Sequence, residues 1–114
     1  MSDDFYCENV LSGLIEVEKV HETNNVVAYH HTRPFWETHI VVIPKRHISS
    51  LLTLEDSDNE ILLELFQVIR EVAGKVVEQK GAARVLTNLG KYQDSKHLHF
   101  HVYSGKSVRL DESS

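Results

Sequence analysis

The chain has 114 residues, 41% of them hydrophobic, which suits one compact domain with a single core. A formal charge of −5 lacks the basic excess of a nucleic-acid-binding surface, and no apolar run approaches the ~20 residues a membrane-spanning helix needs. The single cysteine, Cys7, permits no internal disulfide, and the acidic start Met1-Ser2-Asp3-Asp4 carries no signal-peptide pattern, so a reducing cytoplasm is expected.

In chain order, the first ten residues read as an irregular or briefly helical lead-in anchored by Phe5 and Tyr6, followed by a turn at Ser12-Gly13. Residues 14–20 alternate too loosely to separate strand from short helix. With Thr23-Asn24-Asn25 as a turn and residues 26–31 as a strand, they suggest a hairpin. Arg33-Pro34 breaks that strand, and Phe35-Trp36-Glu37 reads as a loop carrying two large aromatics. Residues 38–43, a nearly continuous β-branched run closed by Pro44, predict a central strand ending in Lys45-Arg46-His47. Ser57-Asp58-Asn59-Glu60 has the form of a capping box. From Ile61 the apolar residues Leu62, Leu65, Phe66, Ile69, Val72 and Val76 recur at three- and four-residue spacing, predicting an amphipathic helix of about six turns capped by Gly81. Residues 83–88 read as a strand, 89–96 as a polar loop and 97–104 as a final strand ended by Gly105, with a loose tail over 106–114. No repeat or linker interrupts this order. The expected fold is α+β over residues 1–114, with the core between residues 5 and 105: an antiparallel sheet of about five strands packed against one long helix.

Eight histidines in so short a chain are the compositional oddity, and three of them alternate with apolar residues in His97-Leu98-His99-Phe100-His101-Val102-Tyr103. Period two on a strand sends Leu98, Phe100 and Val102 into the core and lines His97, His99 and His101 along the other face, roughly 6.5–7 Å apart. Imidazoles in such a row suit two chemistries. One is metal ligation; the other is phosphate chemistry, in which imidazole attacks phosphorus, donates to its oxygens or protonates a leaving group. Asn88, Gly90 and Gln93 supply amide groups and flexible backbone for a phosphate, and no carboxylate-rich cluster accompanies the row, although Asp94 is close. His39 reads as a satisfied buried histidine whose facing the sequence leaves open. His21 and His30 read as surface residues. Phe35 and Trp36 are open to three readings: a base-stacking shelf, a dimer contact or loop anchors.

The row resembles the signature of the histidine-triad (HIT) superfamily, in which histidine alternates with hydrophobic residues. Residues 38–48, Thr-His-Ile-Val-Val-Ile-Pro-Lys-Arg-His-Ile, are similar to that family's strand ending in proline, basic residues and histidine. Val26-Ala28-Tyr29 and Asn88-Leu89-Gly90 fall where related segments lie, so the likeness spans residues 5–105. The resemblance implies a Hint-like hydrolase or nucleotidyl transferase acting on nucleotide phosphoramidates or dinucleoside polyphosphates, with sheets joined in a homodimer. It implies His99 as the nucleophile, forming a nucleotidyl-histidine, and His101 as the residue aiding charge and proton transfer to the leaving group. His97 would orient His99 through its main-chain carbonyl, and His47 would hydrogen-bond behind it. Asn88 and Gln93 would position the phosphate. A purine nucleotide or nucleotide conjugate is the implied partner, and no cofactor is required.

The chain departs from the pattern at three places. His31 stands where many relatives carry Asp or Asn to hold ribose hydroxyls, next to Thr32 in place of an apolar pocket residue. Tyr92-Gln93-Asp94 replaces a loop of Gly-Gln followed by Ser, Thr or Glu, placing the Asp94 carboxylate beside the phosphate site, where Lys91 or Lys96 would have to offset it. Some bacterial relatives hold structural zinc, and Asp4, Cys7, His47 and His97 are the matching set here, with an unused Cys7 thiol the favoured alternative. Against the enzyme stand a nucleotide-binding module without turnover, marked by His31 and Asp94, and a metal-binding protein using the histidine row.

Overall fold

Short strands with a Thr23-Asn24-Asn25 turn between the first two, one long amphipathic segment and a last strand after a polar loop fold into a five-stranded antiparallel sheet with a helix across it. The strands are β1 (Lys19–Glu22), β2 (Val26–His30), β3 (Trp36–Pro44), β4 (Arg84–Leu86) and β5 (Phe100–Ser107), and the helix is α1 (Asn59–Lys80). Their order across the sheet is β1-β2-β3-β5-β4. The structure is a computed structural model and describes Tyr6 and residues 10–108. Asp4, Cys7 and the expected tail beyond 108 lie outside the described residues.

The pleat sorts side chains onto two faces. Val26, Ala28, Ile40, Val42, Leu98, Phe100 and Val102 face α1 and meet its Leu65, Val68, Ile69, Val72 and Val76 in the main core. The buried stripe is shifted from the one its periodicity suggests, since Phe66 is exposed while Val68 is buried. The alternate residues Val27, Tyr29, Val41 and Ile43 face away from the helix and form a second core with Tyr6 and Val10 from the N-terminal segment. Both faces of the centre of the sheet are therefore apolar, which explains why residues 38–43 show no alternation.

Local chemistry shifts several boundaries. Asp58 precedes α1 but does not cap it: its carboxylate accepts the Glu55 N–H (2.9 Å) and pairs with Arg46 instead, so the expected capping box at Ser57 is not made. Gly81 ends the helix as expected, with φ 89° and its N–H donating to Val77 O (2.8 Å). Glu64, on the helix, accepts from Thr23 Oγ1, from Asn25 N (3.1 Å) and from Asn25 Nδ2 (2.9 Å), tying α1 to the β1–β2 turn. Those hydrogen bonds, Thr23 first, hold its carboxyl below the usual range.

β3 begins earlier than expected, at Trp36, which stacks on Tyr103 of β5 with ring centroids 3.8 Å apart. β5 does not stop at Gly105. The pairing slips by one residue between Trp36↔Ser107 and Thr38↔Ser104, and Gly105 takes φ 88° at this bulge. The Glu37 side chain occupies the space a Cβ on Gly105 would need, and its Oε1 accepts the Lys106 N–H (3.1 Å).

Candidate active site

The first two histidines of the row lie just before β5, held beside the end of β3 by Leu98 N donating to Ile48 O (2.6 Å). His97 is fully buried, and its Nε2 donates to Pro44 O (2.8 Å). The carbonyl of His97 in turn accepts from His99 Nδ1 (2.7 Å). A neutral imidazole carries one proton, so this bond leaves the lone pair of His99 on Nε2. His99 is 4% exposed, with Thr87 Oγ1 donating to its carbonyl (2.7 Å).

His101 has a different partner. In the antiparallel register it lies opposite Val41, and His39 lies opposite Tyr103, so His39 and His101 are diagonal neighbours on the face away from α1. Phe35 N–H donates to His39 Nδ1 (3.0 Å), which places the His39 proton on Nε2. His39 Nε2 lies 2.8 Å from His101 Nδ1 and donates to it, and the His101 proton is therefore on its own Nε2. Burial first, then repulsion from His99, His39 and His31, pushes the His101 imidazole down to about 3. His99 thus offers a basic nitrogen beside a neutral N–H donor on His101, the two rings meeting edge-on with centroids 5.1 Å apart.

The reading of His39 as buried and satisfied holds, but its partner makes it part of the site. Sequence reasoning missed this because the apolar run around it hides which face it occupies. A parity argument from Val41 and Ile43 finds it only once those residues are known to face away from the helix. Trp36 packs edge-on against His39 (4.9 Å), giving that aromatic a supporting role.

The other expected residues fall at varied places. His31, just past β2, stacks on His39 (4.3 Å) and lies 6.1 Å from His101, with its N–H hydrogen-bonded to His39 O (2.8 Å). His47 is exposed, lies edge-on to His97 (5.4 Å) and shares a 3.3 Å hydrogen bond with Ser49 Oγ. Asn88 is half-buried between β4 and the turn Gly90–Tyr92. Gln93, expected to position phosphate, instead clamps its loop: buried, it donates Nε2 protons to Ser49 O (2.7 Å) and Ser95 O (2.9 Å). Asp94 is exposed. Lys96 spends its ammonium on Gly90 O (3.3 Å) and Gln93 O (2.9 Å) rather than on Asp94.

Metal ligation by the row itself does not follow from this geometry, because its rings bond separately to Pro44 O, His97 O and His39. Among the described residues the convergent set is His31, His39 and His101, whose ligand atoms lie within 4.8 Å of one another. That set does not fit a cation. Arg33 N–H donates to His31 Nδ1 (3.0 Å) as Phe35 N–H does to His39 Nδ1, so both Nε2 atoms carry protons, whereas a ligating imidazole donates its far N–H to an acceptor. Of the mixed zinc set, only His47 and His97 lie among the described residues, and the Nε2 of His97 is committed to Pro44 O as a donor.

A family model described as the HIT domain matches residues 13–108. An uncharacterised HIT-like protein of Azospirillum brasilense is 34% identical over 102 residues, spanning 87% of this chain and 84% of its own. Among solved structures, a HIT family hydrolase from Legionella pneumophila is 26% identical with a TM-score of 0.78, covering 94% of this chain and 96% of its own. A histidine triad protein from Clostridium difficile is 32% identical with a TM-score of 0.73, covering 98% of both chains. The matched segment carries every hydrogen bond just described around His97, His99 and His101, and the chain belongs to the HIT domain family.

Proposed function

We propose that the protein hydrolyses nucleotide conjugates, phosphoramidates or dinucleoside polyphosphates, through a nucleotidyl-His99 intermediate. The observation that carries this reading is a pair of hydrogen bonds, His99 Nδ1 to His97 O and His39 Nε2 to His101 Nδ1, which assign opposed tautomers: His99 with its proton on Nδ1 and His101 with its proton on Nε2. His99 Nε2 attacks the α-phosphorus, and the bond from phosphorus to the leaving nitrogen or oxygen breaks. For an amine leaving group one proton is taken up from solvent. Water then attacks the same phosphorus, the Nε2–P bond breaks, and the proton is returned. A transferase outcome replaces water with another acceptor.

His101 donates to phosphate oxygens as charge builds on them. Its Nδ1 is occupied by His39, and burial keeps it neutral, which fits a fixed donor better than the proton carrier suggested by the resemblance. Nothing in the scheme needs a metal or cofactor. A purine nucleotide as ligand and a homodimer belong to the same reading; the exposed apolar residues Phe66, Val77 and Val85 support the latter.

The test is turnover of an adenosine phosphoramidate in the presence of chelator, with acid quenching and mass spectrometry of the histidine-containing peptide. Chelator-insensitive turnover with an adenylyl mass on His99, both lost in His99→Ala, is expected. Activity retained in His99→Ala contradicts the reading, activity abolished by chelator moves it to metal chemistry, and binding of AMP without turnover of any conjugate makes the protein a binding module.

A further inference from the structure

One buried ring on the histidine face has no part in the scheme above. Tyr6 is 5% exposed, and its ring centroid lies 4.9 Å from that of His99 and 5.9 Å from that of His97. Its backbone carbonyl accepts the Leu11 N–H (2.7 Å), and its side chain sits in the second core beside Tyr29, 6.4 Å away. The His99 imidazole is therefore held on several sides: by the His97 carbonyl at Nδ1, by His101 edge-on and by the Tyr6 ring.

Charge gives that contact a consequence. If Nε2 of His99 bonds to phosphorus while Nδ1 keeps the proton it donates to His97 O, the imidazole becomes a cation inside a nearly closed site. A cation over the face of an aromatic ring and within about 6 Å of its centroid is attracted by the π-electrons, more strongly when desolvated, and the Tyr6 and His99 rings lie 4.9 Å apart with a 45° tilt. We propose that Tyr6 is a positioning residue that stabilises the cationic nucleotidyl-His99, an inference that rests on the function proposed above. Forming the intermediate creates the charge and hydrolysing it removes the charge. Weakening the ring therefore slows nucleotidylation and speeds hydrolysis of the intermediate. A residue that only supports the fold has no reason to move the two steps in opposite directions.

The experiment uses the full chain with Tyr6→Phe as parent, then phenylalanines bearing one, two and three ring fluorines at position 6, which drain the π-face at nearly constant shape. Rapid-quench kinetics with an adenosine phosphoramidate read the two steps separately. Across the series nucleotidylation should fall by about tenfold in total, the scale of a desolvated cation–π contact, while hydrolysis of the intermediate accelerates. Tyr6→Leu should show the same opposition in a larger form. Rates that stay flat across the fluorine series, or that fall together, overturn the assignment even though the parent forms nucleotidyl-His99. A parent that forms none overturns the underlying function and the inference with it.

Discussion

The two faces of the sheet solve burial in different ways. Towards α1 the side chains are hydrocarbon, and Leu65, Val68, Val72 and Leu98 are held by shape and exclusion of water. On the opposite face His39, His97 and His99 are equally buried but are imidazoles, each matched to a backbone or ring partner. The first face tolerates volume-conserving change, because no direction is built into it. The second has a direction: each bond fixes where the next ring keeps its proton. Stability and reactivity should therefore separate by face.

The largest expected effect is on the directed face. His99→Ala should lower turnover per folded molecule by at least ~10⁴-fold, as removal of a covalent nucleophile does. Leu65→Ala, fully buried on the hydrocarbon face, should cost about 3 kcal/mol in denaturant unfolding while leaving kcat per folded molecule unchanged. A kcat that fell with it would erase the distinction between the faces. His39→Phe keeps a ring of similar volume but removes the donor to His101 Nδ1. A kcat loss on the order of 10²-fold is expected in steady-state assays, against near-normal KM, because the His101 donor is no longer held in one tautomer.

Two further effects concern stability alone. Gly105→Ala places a Cβ into the Glu37 side chain at a positive φ and should cost about 2 kcal/mol without altering the reaction. The pH dependence of stability should carry the mark of His101. Burial holds its imidazole in the folded chain at about 3, below the ordinary 6.5, so as pH falls the unfolded chain takes up the proton first. Stability from this group is complete above pH 6.5 and declines towards pH 3, by on the order of 1 kcal/mol per pH unit. His101→Asn should flatten that part of the profile in urea titrations, and an unchanged slope would assign it to other groups.

The hydrocarbon face was legible in the sequence because the three- and four-residue spacing of α1 and the alternation of Leu98, Phe100 and Val102 are local signals. The histidine row was legible for the same reason, and the Asn24-Asn25 turn marked the hairpin, although its first strand lies at Lys19–Glu22 rather than across residues 14–20. What stayed hidden depends on distant partners. His39 joins His101 through a strand pairing that no local pattern states, and Gln93 turns inward because Ser49, far off in sequence, offers a carbonyl. Asp58 was read as part of a helix cap, but the Arg46 guanidinium and the Glu55 N–H compete for it. The course of β5 through Gly105 follows from Glu37, which a single-strand reading does not see.

The most direct test of the account is a long-range ¹H–¹⁵N spectrum of protein labelled in the histidine rings, recorded near pH 7. Among His31, His39, His97, His99 and His101, only His99 should carry its proton on Nδ1, with the other four protonated on Nε2. That pattern is the structural basis for a nucleophile beside a fixed donor. His99 protonated on Nε2, or His101 on Nδ1, would contradict it and remove the grounds for assigning attack to His99.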